Sequence, residues 1–258
     1  MPGLLRRIVA LALVALAAAA SLSVLGGTDV VGGGCQDALA APGAQGVERR
    51  LDCRTACTAS ARLRSATARP AGRGLRLNFR RGSRRLVRVD VYRLTRGRRV
   101  VRNRRVVSFG RRGRSFSWSG RVRGRPVRSG YFEARFRSGR EVRRVAVRRR
   151  AGRFVRLPAF ERARACDGLS ALRLGGPAFG GKGRQPLGIV YRLSQPGRVG
   201  IVVKRGRRTI KRFKARRRSP GKTYRLRLRP RVRGNVRVTL TARLNGRTVR
   251  SRLVARGL

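Results

Sequence analysis

Histidine is absent from all 258 residues of the chain. Its absence removes the Ser-His-Asp and Cys-His arrangements of nucleophilic catalysis, and the commonest metal ligand. Acid is nearly as scarce. The nine carboxylate side chains are Asp29, Asp37, Glu48, Asp52, Asp90, Glu133, Glu141, Glu161 and Asp167, and none lies beyond position 167. Against them stand 68 Lys and Arg residues, for a formal net charge of +59. Ion pairs within the chain cannot neutralise that excess, so counter-anions or an anionic partner must.

Paired carboxylates are the remaining route to acid–base chemistry. Glu133 and Glu141 face across one hairpin, but each sits among arginines. A neighbouring cation lowers a carboxyl pKa, the wrong direction for a general acid. Both therefore read as cross-strand ion-pair partners, as does Asp90 between Arg88 and Tyr92. The stretch Gly176-Pro-Ala-Phe-Gly-Gly181-Lys182-Gly183 imitates a phosphate-binding loop. It lacks the hydroxyl after its lysine, contains a proline, and leads into a strand pattern rather than a helix. It reads as a flexible loop. Cys53 and Cys57 are spaced C-x3-C without a histidine to complete a metal site. No catalytic residue, cofactor site or metal site is expected, and the chain reads as non-enzymatic.

What the chain does contain is arginine and apolar sequence. Lys182, Lys204, Lys211, Lys214 and Lys222 are its only lysines, so nearly all the positive charge is guanidinium, fixed across the working pH range. Hydrophobic residues make up 41%, enough for packed cores and too many for a disordered basic tail. Arg6-Arg7 precede an apolar run from Ile8 to Leu25, the pattern of an export signal, with cleavage expected near residue 20 or 40. An uncleaved membrane anchor is the alternative, since the run is just long enough to span a bilayer. Export makes disulfides available. Cys35, Cys53, Cys57 and Cys166 allow three connectivities, and a bridge from Cys53 or Cys57 to Cys166 is preferred.

From position 75 the apolar residues recur with period two: Leu75–Phe79, Val87–Val91, Phe116–Trp118, Phe132–Phe136, Val145–Val147, Leu187–Leu193, Val199–Val203, Tyr224–Leu228, Val236–Leu240 and Val249–Val254. Gly, Pro or Asn bounds each run, the mark of short antiparallel strands with one face buried. The halves repeat. Arg96-Gly-Arg-Arg99 matches Arg205-Gly-Arg-Arg208, and Arg121-Val-Arg-Gly124 matches Arg231-Val-Arg-Gly234. Two hairpins are expected to turn at Ser138-Gly139 and at Asn245-Gly246. The fold class is all-β: two tandem immunoglobulin-like β-sandwiches after an N-terminal hydrophobic export helix. The expected boundaries are a signal peptide and leader over 1–40, a cysteine-containing segment over 41–70, sandwiches over 71–157 and 171–258, and a linker over 158–170. Trp118 and Phe116 share a strand face and are expected in a core. Tyr92, on the opposite face from Val89 and Val91, is expected to be exposed.

Phe116-Ser-Trp118-Ser-Gly120-Arg, followed by Gly124-Arg-Pro126-Val127-Arg-Ser-Gly130-Tyr131, resembles the late-strand motif of the FlgD-type immunoglobulin-like domain. Ser119 stands where that motif usually has Asp, and the second half lacks the Pro-Val-Arg-Ser-Gly-Tyr piece. The chain also resembles secreted, arginine-rich immunoglobulin-like proteins of high-GC actinobacteria. The resemblance implies an extracellular accessory β-sandwich and no chemistry.

The candidate functional residues are thus basic clusters: Arg98 and Arg99; Arg102, Arg104 and Arg105; Arg111 and Arg112; Arg148, Arg149 and Arg150; Arg216, Arg217 and Arg218. Two readings stand. Arginine is the default solvated residue of a GC-rich genome, or it serves an anionic polymer or surface such as a wall polymer, acidic glycan or lipid headgroups. Codon usage accounts for arginine over lysine but not for the missing acid. The expected function is an exported surface or wall-associated module that meets polyanions electrostatically. The alternative is a sequence-nonspecific nucleic-acid binder, although no base-reading module is visible.

Overall fold

A strand with alternating apolar residues needs a second sheet to cover its apolar face, and that requirement organises this chain. The computed structural model of the protein describes residues 62–258 apart from 164 and 230. The expected export helix, the leader, Cys35, Cys53 and Cys57 lie outside the described residues. Among the described residues all regular structure is β-strand. The first half contains β1 (Leu63–Ala71), β2 (Gly74–Arg81), β3 (Val87–Arg96), β4 (Arg99–Arg112), β5 (Phe116–Trp118), β6 (Arg121–Val122), β7 (Arg125–Pro126), β8 (Gly130–Ser138), β9 (Glu141–Arg150) and β10 (Arg153–Arg156). The second contains β11 (Ala171–Leu174), β12 (Ala178–Phe179), β13 (Leu187–Arg192), β14 (Gly197–Arg205), β15 (Arg208–Arg218), β16 (Thr223–Leu228), β17 (Gly234–Leu244) and β18 (Arg247–Gly257).

Each half pairs a three-stranded sheet with a five-stranded one. The orders are β1-β2-β5 over β10-β9-β8-β3-β4, then β11-β13-β16 over β12-β18-β17-β14-β15. Alternation aims one side chain in two into the gap between the sheets. In the first half Leu75, Leu77 and Trp118 meet Val89, Val91, Phe132 and Phe136. In the second, Leu172, Leu174, Ile189 and Tyr191 meet Val199, Ile201, Val236, Val238 and Leu240. Each such side chain contributes about 1.5–3 kcal/mol when fully buried. Pro70 lies in β1, an edge strand, where a missing N–H is tolerated.

The sequence repeat is also a repeat of topology. Arg96–Arg99 and Arg205–Arg208 form the equivalent β3–β4 and β14–β15 turns. Asn245 and Gly246 turn the β17–β18 hairpin with φ of 43° and 75°, the doubly left-handed geometry that favours Asn-Gly. Two features depart from the repeat: the β6–β7 pair has no counterpart among the described residues of the second half, and the outer edge of the five-stranded sheet is filled differently. In the first half the edge beside β9 is filled by β10, antiparallel and later in the chain; in the second, the edge beside β18 is filled by β12, parallel and earlier.

Three segments differ from expectation. The first sheet begins at Leu63, ahead of residue 71. The connection from β10 to β11 is no loose tether: Phe160 and Leu169 are buried, the Leu174 N–H donates to the Phe160 carbonyl (2.7 Å), and the Val254 N–H donates to Ala159 (3.0 Å). The Gly176–Gly183 stretch is a docked tongue, not a flexible loop. It forms β12, receives the Arg256 N–H at Pro177 (2.9 Å), and sends the Lys182 N–H to the Arg98 carbonyl (3.2 Å). A methyl group on Gly181 would overlap that carbonyl, so only glycine permits the approach. The tongue forms a seam in which Leu94 and Tyr131 pack on Ala178, with Tyr92, Leu157 and Leu258 around them. The described residues all fall within one compact unit, Ala44–Leu258.

The core assignment makes a direct prediction. Phe132→Ala removes a fully buried ring and should cost about 3–5 kcal/mol in urea unfolding. Val155→Ala, at a side chain 52% exposed, should stay within about 0.5 kcal/mol of wild type.

Candidate polyanion-binding surface

The electrostatics follow from where the few carboxylates go. Among the described residues there are five, and all are ion-paired with arginine. Asp90 meets Arg88 (3.2 Å) and Arg137 (3.7 Å), Glu141 meets Arg143 (3.2 Å), Glu133 meets Arg135, Glu161 meets Arg144, and Asp167 meets Arg162. These acids hold structure. Glu141 accepts the backbone N–H groups of Arg62 (2.7 Å) and Leu63 (3.1 Å), anchoring the start of β1. Asp90 and Glu133 lie on the outer face of the five-stranded sheet yet are buried, because arginine side chains cover them. Breaking such a buried pair by removing one partner costs about 3–5 kcal/mol.

No carboxylate side chain then remains for the other cations. β11–β18 hold none at all. The crowding registers on Arg93: burial, then the neighbouring charges of Arg96, Arg128 and Arg104, push its guanidinium below its ordinary value. Backbone carbonyls partly compensate, with Arg93 donating to Thr95 (2.8 Å) and Ser129 (3.1 Å).

The candidate arginines divide among three places. Arg99, Arg102, Arg104, Arg105, Arg111 and Arg112 all belong to β4, a sheet edge, and all are exposed; Arg112 lies over the Phe116 ring at 5.2 Å. Arg216, Arg217 and Arg218 end β15, the equivalent edge in the second half. Arg216 and Arg217 are exposed, while Arg218 is half-buried over Tyr224 at 4.6 Å. Arg98, Arg148, Arg149 and Arg150 come together around one cavity at the seam. Arg149 departs from expectation. It is buried, donating to the Val127 carbonyl and the Gly152 carbonyl (3.0 Å) and lying over Phe154, so it closes the end of the first core rather than facing solvent.

The remaining sequence candidates sort as follows. Trp118 is buried, and its indole N–H donates to the Arg121 carbonyl (2.9 Å). Phe116 packs on Phe109 with ring centroids 4.7 Å apart. Tyr92 is half-buried rather than exposed, because Arg135 stacks on its ring at 4.0 Å and the seam closes beside it. Cys166 is half-buried in the β10–β11 connection. Among the described residues no group of three metal-ligating side chains comes together, and no helix is long and apolar enough to cross a membrane. Sequence reasoning missed Arg233 and Arg256 at the seam cavity. They stand far from the other arginines in sequence, and only the repeat of Arg121-Val-Arg-Gly124 at Arg231–Gly234 drew attention to that stretch.

No family model matches the chain, the FlgD-type domain included, and no curated protein matches it. Matches among solved structures include a chain described as "Biofilm associated protein - BSP domain", 10% identical with a TM-score of 0.22. The match spans 74% of this chain but only 29% of that one. Such an overlap transfers nothing about activity or partners.

Asp167 offers a test of the acids' role. Burial works to raise its carboxyl pKa. Two bonds from Arg162, that residue's charge and the Leu169 N–H outweigh burial and hold the group below its ordinary 3.8. A depressed folded pKa stabilises the fold above the unfolded value and ceases to do so as pH falls through the folded one. Asp167→Asn should lower the denaturation midpoint at pH 7. The gap to wild type should hold above about pH 5 and close as pH falls below the ordinary carboxyl range.

Proposed function

We propose that this protein is a non-enzymatic, exported module of the cell surface or wall that holds anionic polymers along its arginine-rich strand edges. One observation carries the reading: all described Asp and Glu side chains are committed to internal ion pairs, so the arginines of β4 and β15 have no side-chain counter-charge among the described residues. Like charges on neighbouring strand positions repel. An acidic glycan or wall polymer laid along such an edge relieves that repulsion and releases its own counterions. Arginine suits the task because its planar fork takes sulfate, phosphate or carboxylate oxygens two at a time.

Export rests on the Arg6-Arg7 and Ile8–Leu25 pattern, with the uncleaved anchor as its variant form. We assign Cys166 to a disulfide, in keeping with the same oxidising compartment. Its proposed partner is Cys53 or Cys57. Peptide mapping of the mature protein without reduction should recover Cys166 linked to one of those two, and a Cys166 peptide linked to neither would reject the pairing.

The binding reading predicts three behaviours. Affinity for a heparin-like sulfated polymer should fall linearly with salt on logarithmic axes. Replacing Arg102, Arg104 and Arg105 together by Gln should flatten that slope by about two to three. The melting midpoint of wild type should rise on adding polymer. A slope and midpoint unmoved by polymer or by the triple variant would defeat the proposal. Preference for single-stranded DNA over a glycan of equal charge density would shift it to nucleic acid.

A further inference from the structure

The seam borders a half-open cleft of about 420 Å³, within the range of small-molecule sites. Six arginines line it. Arg98 comes from the β3–β4 turn and Arg148, Arg149 and Arg150 from the end of β9; Arg233 and Arg256 come from the second half, at the start of β17 and the end of β18. No lining side chain carries a carboxylate, and the one carboxylate on a lining residue is the α-carboxylate of Leu258. Glycine lets the backbones converge here: a methyl group on Gly257 would overlap the Val232 carbonyl, and Gly97 turns its hairpin at a φ of 56°.

Clustered arginines alone do not make a site, since solvated arginines cover this protein. One further observation sets this cluster apart. Tyr131 lines the cavity, is 4% exposed, and its hydroxyl has no hydrogen-bond partner. A buried donor without an acceptor is costly, and Tyr131 borders a space lined by guanidinium groups. The missing component has the chemistry of an acceptor with negative charge and several oxygens.

We infer that the seam is a discrete binding site for a tetrahedral oxyanion, the sulfate or phosphate ester group of a larger molecule. The group is gripped by arginines from both halves and accepts the Tyr131 hydroxyl. The cavity has room for the group together with part of the residue that bears it. This deepens the polyanion reading and rests on it for the natural ligand, but the site is separate from the strand edges and fails or stands separately. Because both halves supply guanidinium groups, occupancy also ties them together across the seam.

The test is calorimetric titration of the full chain with inorganic sulfate and, in parallel, inorganic phosphate, at constant ionic strength. Wild type should bind with saturation at one site per chain. Arg233→Gln combined with Arg256→Gln removes two exposed residues from the fold's margin and should weaken binding about tenfold or more. The edge variant at Arg102, Arg104 and Arg105 should bind the small anions as wild type does. Tyr131→Phe should move two readouts in opposite directions: a higher melting midpoint without anion, because an unsatisfied buried hydroxyl is gone, and weaker anion binding. Binding without saturation, or binding unchanged in either seam variant, overturns the site even if polymer still binds the edges. Saturable, seam-dependent binding with no polymer binding at the edges would uphold the site and reject the edge reading. The sulfate and phosphate arms decide which ester is preferred.

Discussion

Scarcity of negative charge is the constraint on which this structure depends. A fold with so many guanidinium groups must keep the repulsion among them from opening its sheets. It does so by placing each described carboxylate where a failure would propagate. Glu141 fastens the start of β1 to the β8–β9 hairpin, Asp90 and Glu133 serve the outer face of the first five-stranded sheet, and Glu161 and Asp167 order the connection into the second half. Elsewhere carbonyl oxygens and aromatic faces take over. Arg149 is held by two carbonyls and a phenyl ring, and Arg135 serves both Glu133 and the Tyr92 ring. Guanidinium is suited to this, being planar, weakly hydrated and able to stack and donate at once.

The edges show how one residue type meets two demands. An open strand edge is a template for pairing with another chain, and charge is one of the usual protections against it. β4 and β15 are the long open edges of the two larger sheets, and both are dense in arginine. That protection needs no ligand. It nevertheless leaves rows of donors that an anionic chain can use, so a structural origin and a binding role are compatible in the same side chains.

Legibility in the sequence followed the hydrophobic pattern. Strands whose inward residues are large and strictly alternate, such as β2, β3, β8, β14 and β17, were readable as strands, and so was the Asn245-Gly246 turn. β4 was not, because three register shifts against β3 break its period and leave apolar pairs at Val100-Val101 and Val106-Val107. β15 has two such shifts. β1 hid because one of its two fully buried residues is Ala68, too small to mark a face. Of the candidate site, single clusters were visible, but their grouping was not. Arg98 reaches Arg148 through sheet pairing, and Arg233 and Arg256 join them through the docked tongue at Gly181, a contact between halves that no local pattern encodes. The same contact helps explain why Tyr92 is less exposed than strand alternation alone implies.

The pairing of every described carboxylate also governs how the surface responds to its surroundings. No imidazole is present to gain charge in mild acid, and guanidinium does not lose charge in mild base. Between these limits the charge pattern is nearly indifferent to protons, while its attraction for anions decays with ionic strength. An anion bound to such a surface would not be released when its environment acidifies. Its pull on anions responds instead to dilution and salinity, long-ranged in fresh water and short-ranged in brine.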